Sequence, residues 1–241
     1  MTKQEMMEIV YNQLAIDYNC APNDFLKDEI IFTVAEKSDG RRAMSFVKNR
    51  LEMITFGRGV IVNASKNIMP YVKKKLDGKT SYDVMNSPIV YGVNPYYLPD
   101  VDKIKPIENE NLNFRLIYKK IQNLYKYTEF HNALQYNKFS ERAEVIAAVA
   151  YDKVRIAGIA CASADSKTMY QIGVDVLPEY RGRDIAVKLV NMLTIETLNR
   201  GIVPYYTTDN ANINSQKVAV KAGYFPAWSH CFKTRLPKIK L

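Results

Sequence analysis

The 241-residue chain is 47% hydrophobic and 24% charged, a balance that suits a folded globular protein and excludes wholesale disorder. Its net charge of +9 favours anionic partners: nucleic acid, an acidic membrane surface or a phosphorylated cofactor. The cations are scattered, with small clusters at Lys73–Lys75 and in the tail KTRLPKIKL. No basic-aromatic motif accompanies them, so nucleic acid is not an expected partner.

Residues 3–18 (KQEMMEIVYNQLAIDY) put Met6, Ile9, Val10 and Leu14 on one face at helical spacing, which predicts an amphipathic helix. This start is polar and lacks the apolar segment of a signal peptide. Residues 41–50 read as helical or irregular. LEMITFGRGVIVNAS predicts strands at 51–56 and 59–64 around a Gly-Arg-Gly turn, read as a hairpin in preference to an anion site. KNIMPYVKKKLDG predicts a helix with Pro70 near its start and Gly78 at its end. The proline-rich stretch 87–110, followed by ENENLN, places a domain boundary near residue 108.

Beyond it the patterning sharpens. NLNFRLIYKK predicts a strand, and IQNLYKYTEFHNALQY a helix carrying Glu129 and His131. EVIAAVAYD (144–152) is a continuous apolar run, suiting a strand buried on both faces. A tight turn at Asp152-Lys153 leads to VRIAGIACA, and ADSKT turns the chain into MYQIGVDV (169–176), completing an antiparallel meander. After Pro178 the period changes. Ala186, Leu189, Val190, Leu193 and Leu198 mark a helix of about 18 residues that Gly201 closes. VPYYTT (203–208) is a strand, Asn212 caps a short helix through Ala222, and YFPAWSHCFKT is the last strand. The crossover spanning 169–208 requires one parallel pair inside a mixed sheet, so the fold class is α/β, an α+β mixed sheet. No apolar run reaches the ~20 residues that cross a bilayer, so no membrane partner is expected. Cys20, Cys161 and Cys231 are odd in number and far apart, which fits a reducing, cytoplasmic setting, and no Cys/His cluster suggests a metal.

LPEYRGRDIA (177–186) is the stretch that carries chemistry. Arg181 and Arg183 stand where the long helix begins, at the positive end of its dipole, where cations are disfavoured. A strand ends, Pro178 fixes a turn, Gly182 lets the backbone approach closely, and the first helical N–H groups have no internal partner. Such a loop is a ready anion site, and the arginines are then counter-charges to a phosphate or pyrophosphate.

The block TMYQIGVDVLPEYRGRDIAVKLVNMLTIETLNRG resembles the acetyl-CoA motif of the GNAT N-acetyltransferase superfamily: a strand, V-x-P-x-Y-R-G, then Q/R-x-x-G-x-G/A opening a long helix. Arg181 takes the Q/R place and Ala186 the final G/A place. About thirty residues on, NINSQKVAVKAGYF is similar to the second cofactor-side motif through Asn212, Ser215, Gly223 and Tyr224, and Gly158 matches a glycine of the preceding strand. The resemblance covers about residues 110–241, and the whole chain is similar to a bacterial group of these proteins. It implies the GNAT acyl-CoA N-acyltransferase fold for 109–241, with an N-terminal α+β domain, 1–108, of unassigned role that covers the acceptor groove or forms a homodimer surface. It also implies acetyl-CoA as cosubstrate, no metal, and a primary amine as acceptor. The backbone from Arg181 through Gly182, Arg183, Asp184 and Ile185 to Ala186 would hold the pyrophosphate. Asp175, Val176 and Leu177 would pair with the pantetheine arm, in a gap between the strand ending at Val176 and the strand 203–208. The amine would attack the thioester carbonyl directly, with a base to take its proton and an acid for the thiolate.

Two departures bear on that reading. Asp184 stands where the motif has glycine; it adds a negative charge beside an anion, is expected to weaken cofactor binding without abolishing it, and has Arg183 as a ready partner. Ala219 stands where many members carry a tyrosine, leaving Tyr205, Tyr206, Tyr224 or water to protonate the thiolate. Tyr224 and Asp175 are the catalytic candidates, with His131 and Glu129 beside the expected groove. A non-catalytic CoA-binding or regulatory protein of the same fold is the alternative.

Overall fold

A computed structural model describes residues 1–42, 49–109, 112–137 and 139–233. Most of the stretch read as helical or irregular, 41–50, lies outside the described residues. The first elements are helix α1 (Lys3–Tyr18), strands β1 (Ile30–Val34), β2 (Leu51–Thr55) and β3 (Val60–Ala64), helices α2 (Met69–Leu76) and α3 (Ser81–Met85), and strand β4 (Val93–Pro99). There follow β5 (Asn113–Ile117), β6 (Glu144–Asp152), β7 (Arg155–Ala164), β8 (Met169–Val176), helix α4 (Ile185–Asn199), β9 (Val203–Thr207), helix α5 (Ile213–Lys221) and β10 (Tyr224–Lys233). The chain divides into two compact units. One holds Met1–Met6, Tyr97–Thr208 and Asn212–Phe225; the other holds Met7–Tyr96, Asp209–Ala211 and the described residues from Pro226.

The second of these units is built on β2 and β3, an antiparallel hairpin in register from Leu51↔Ala64 to Ile54↔Ile61. The Gly-Arg-Gly turn joins them as expected. Gly57 sits at φ +100, and a Cβ on Gly59 would lie 2.2 Å from the Glu29 carbonyl, so both positions need glycine. β1 pairs with β3 in parallel, and the Ser229–Lys233 end of β10 pairs antiparallel with β2. Leu51, Met53, Val60 and Val62 pack with Val72 and Leu76 of α2 and Val84 of α3. A buried polar cluster completes the unit: Arg42 pairs with Asp17, while Arg50 and Arg41 pair with Glu52. His230 Nε2 lies 3.8 Å from a Glu52 oxygen, and burial pushes the His230 pKa down to about 4.

The larger unit carries the meander. β5, β6, β7 and β8 pair antiparallel in that order, and β8 pairs in parallel with β9. β6 is buried on both faces, which explains its unbroken apolar run. Ile146, Ala148 and Ala150 face α4, whose Leu189, Val190 and Leu193 form its stripe. Ala147 and Val149 face the opposite layer with Ile121, Leu124, Phe130 and Leu134. That layer corrects one expectation. In place of a helix over 121–136, Ile121–Lys126 form a 3-10 helix entered through Lys120 at φ +55, and turns follow.

Candidate functional site

Backbone pairing between β8 and β9 is confined to three steps, Met169↔Val203, Tyr170↔Pro204 and Gln171↔Tyr205. β8 then continues to Val176 with β7 alone as its described partner, so one edge of Ile172–Val176 is open. The N–H of Leu177 donates to the Ala157 carbonyl at 3.0 Å, on the β7 side. By the alternation of an antiparallel ladder, Val174 and Val176 turn their N–H and carbonyl groups to the open edge. Gly158 stands opposite Val176, and a Cβ there would be 3.1 Å from Leu189, so this glycine lets α4 lie close to the strand.

The loop after β8 leads straight into α4. Pro178–Tyr180 make one 3-10 turn. The Tyr180 hydroxyl donates to Asp152 at 2.8 Å, and the guanidinium groups of Arg155 and Arg183 lie 5.8 and 5.5 Å from its ring centroid. Arg181 Nε donates to the Val176 carbonyl at 3.2 Å and Arg183 Nη2 to the Glu179 carbonyl at 3.3 Å. Among the described residues neither arginine pairs with a carboxylate. Their charge is set against backbone carbonyls and a ring, beside the positive end of a helix. Gly182 turns the chain at φ +78, and Asp184 caps α4 from the left-handed region, φ +53 and ψ 21. That φ is why the motif carries glycine at position 184; aspartate is among the few side chains that enter this region. The Asp184 carboxylate makes no capping bond. Lys221 Nζ donates to it at 2.7 Å, so its partner is Lys221, where the sequence had offered Arg183. The Lys188 N–H makes the first intrahelical bond, to the Asp184 carbonyl, which leaves the N–H groups of Ile185, Ala186 and Val187 as the helix's orphan donors.

Asn212 and Ser215 come together at the head of α5. The Asn212 side chain accepts from the Ser215 N–H at 3.1 Å, and Ser215 Oγ and the Tyr206 hydroxyl are 2.7 Å apart. Tyr206 is the first β9 residue past the last paired step, and burial raises its pKa.

The chain is matched by a family model described as GNAT acetyltransferase, over residues 26–228. The chain belongs to the GNAT acetyltransferase family. The match begins well before residue 109, so the family's own extent takes in much of the N-terminal part. Similar solved structures include a GNAT-family acetyltransferase from Colwellia psychrerythraea, at 17% identity and TM-score 0.46, covering 59% of this chain and 56% of that one. A GCN5-related N-acetyltransferase-like protein from Streptococcus suis 89/1591 is 18% identical at TM-score 0.44, covering 74% and 72%. The aminoglycoside N-acetyltransferase AAC(6')-Iy, in complex with CoA, is 17% identical at TM-score 0.39, covering 56% and 98%. This chain thus spans little more than half the length of the Colwellia protein. Comparison with curated proteins gives no match. No helix among the described residues of this GNAT protein is long and apolar enough to cross a membrane.

The two catalytic candidates, Tyr224 and Asp175, are each engaged within the fold. Tyr224 is 4% exposed in the core beneath α4, its hydroxyl 2.7 Å from Thr194 Oγ1. Burial raises its pKa. Asp175 is enclosed by donors: the Asn132 N–H at 2.7 Å, Asn132 Nδ2 at 2.6 Å and the Ala133 N–H at 2.9 Å. Glu129 and His131 lie exposed on that turn. Three features went unread in the sequence. Lys221 is one. Gly173 is another: a Cβ there would sit 2.1 Å from the Asn132 carbonyl oxygen, and an isolated glycine inside a strand pattern is the signal for such close approach. The third is a network at the last paired step of β8 and β9. Arg142 holds Asp165 through Nε and Nη2, both at 2.8 Å, Arg142 Nη2 donates to Gln171 at 2.5 Å, and the Tyr205 hydroxyl donates to Asp165.

Proposed function

We propose that this GNAT protein moves the acetyl group of acetyl-CoA to a primary amine by direct attack. The observation that carries the reading is the head of α4, where orphan N–H groups and two arginines without carboxylate partners meet at the open edge of β8. These residues fit a pyrophosphate: Gly182 removes side-chain bulk, and the Asp184 carboxylate is turned to Lys221. When bound, acetyl-CoA supplies the activated acyl group. The N–H groups of Ile185, Ala186 and Val187, with Arg181 and Arg183, hold the anion. Val174 and the N–H of Val176 offer a free backbone edge to the pantetheine arm, and an N–H there would polarise the thioester carbonyl as charge builds on its oxygen. Asn212 and Ser215 fix the head of α5 and, through Ser215, the Tyr206 hydroxyl.

Proton transfer is reassigned. Helical side chains lean toward the N-terminus, so a tyrosine at position 219 would cover the turn around Ser215. Here the Tyr206 hydroxyl reaches Ser215 from β9, so we assign Tyr206 as the acid for the departing thiolate, while the proton released by the attacking amine passes to water. Asp175 is assigned to holding the 132–133 turn. We keep 109–241 as the transferase domain. The free thiols of Cys20, Cys161 and Cys231 support a cytoplasmic setting.

Calorimetric titration with CoA and acetyl-CoA, followed by thiol release on a panel of amines, tests the reading. Micromolar binding with amine-dependent thiol release is the expected result. No binding up to millimolar concentration sinks it. Binding without release on any amine moves the protein to the second reading, a non-catalytic CoA-binding protein, which the three donors enclosing Asp175 favour.

A further inference from the structure

Of the two carboxylates in the 177–186 loop, Glu179 pairs with Arg155, and Asp184 is the one that stands at the head of α4, where it opposes an anion. An aspartate at a helix start ordinarily folds its carboxylate back onto the N–H of the second or third helical residue. Asp184 does not. Its φ of +53 and ψ of 21 swing the side chain off the helix end, and no capping bond forms. The carboxylate meets the Lys221 ammonium at 2.7 Å, and both side chains are more than half exposed, at 58% and 59%. An ion pair so exposed adds little to stability. Lys221 is the last residue of α5, whose first turn is fixed by the Asn212 cap.

We propose that Lys221 is a positioning residue that holds the Asp184 carboxylate out of the anion site, so that the loop accepts a pyrophosphate despite the charge it carries. The inference rests on the reading of this loop as the CoA site. Without Lys221 the carboxylate charge faces the phosphates unneutralised, and nothing holds the side chain away from them.

The test is CoA titration of four proteins: wild type, Lys221→Met, Asp184→Gly and the double variant, with thermal unfolding of each. Lys221→Met is expected to weaken CoA binding by about tenfold in the wild-type background. In the Asp184→Gly background the same change is expected to cost less than about twofold, because the carboxylate to be held is gone. Lys221→Arg is expected to stay near wild type, and unfolding temperatures are expected to move little. An equal loss in both backgrounds overturns the inference, since Lys221 then acts on the cofactor itself; so does the absence of loss in the wild-type background. If wild type fails to bind while Asp184→Gly binds, the site reading stands and the holding role of Lys221 is refuted. If neither binds, the site reading falls, and this inference with it.

Discussion

Gly173→Ala sets two opposite expectations against each other. In an ordinary strand, exchanging glycine for alanine stabilises by roughly 0.5–1 kcal/mol, because the unfolded chain loses freedom. Here the added methyl would lie 2.1 Å from the Asn132 carbonyl oxygen and 3.1 Å from its carbon, both backbone atoms. Restoring contact distance means lifting the 132–133 turn by about 1 Å, an overpacking cost of about 3 kcal/mol. The turn cannot lift freely, because its two N–H groups and the Asn132 amide are bonded to Asp175 at 2.6–2.9 Å. The expected outcome is a fall in unfolding temperature of several degrees, at about 2–4 °C per kcal/mol for a chain of this size. Hydrogen exchange is expected to quicken at Asn132 and Ala133 while β6 and β7 keep their protection. An unfolding temperature at or above wild type, with exchange at those two amides unchanged, would refute the close approach and with it the clamp.

Two further outcomes follow from the same geometry. Tyr206→Phe is expected to lower kcat by about tenfold to a hundredfold with CoA affinity kept, whereas Tyr224→Phe is expected to leave turnover intact and cost about 1 kcal/mol for the buried bond to Thr194; the reverse pattern in steady-state kinetics would return the acid to Tyr224. His230 gives a pH dependence. Burial lowers its folded pKa to about 4, against the attraction of Glu52, so between about 4 and the unfolded value near 6.5 the unfolded chain binds the extra proton and stability falls as pH falls. The loss from pH 7 to pH 5 is about 2 kcal/mol, read from denaturant unfolding followed by the fluorescence of Trp228, the single tryptophan; a flat profile in that window, or an equal slope in His230→Phe, would remove His230 as its source.

What the sequence disclosed and what it hid divide along physical lines. Elements buried on one stripe or on both faces were legible: the apolar run of β6, the α4 stripe, the caps at Asn212 and Gly201. The segment 121–136 misled because its apolar spacing is helical while key N–H groups in its second half are taken elsewhere. Asn132 and Ala133 give theirs to Asp175, forty-odd residues on, which no local pattern encodes. Pro95 and Pro99 made β4 read as linker, because a proline removes a ladder donor, yet Val93–Pro99 form a strand. β1 went unread because five residues carry too little periodicity of their own. At the loop, the sequence revealed the departure at Asp184 but not its cost, since a left-handed φ is a property of the turn.

The two aspartates beside the proposed cofactor track share one design. Asp175 lies on the strand and Asp184 on the loop, and each is satisfied from a separate segment: the 132–133 turn for one, α5 for the other. Glu179, between them, pairs with Arg155 of β7. Every carboxylate from Asp175 to Asp184 therefore has its donors off the loop, while among the described residues both arginines of the loop bond carbonyls and a ring. Cations at a helix N-terminus are disfavoured by the dipole, and among the described residues these two are relieved by no carboxylate. Such an arrangement is stable as a surface feature only because the groups are solvated; it becomes favourable when an anion with several oxygens takes the orphan N–H groups and both guanidinium groups at once. On the proposed reading of the loop as the cofactor site, that is the physical reason the arginines of LPEYRGRDIA stand where a helix begins.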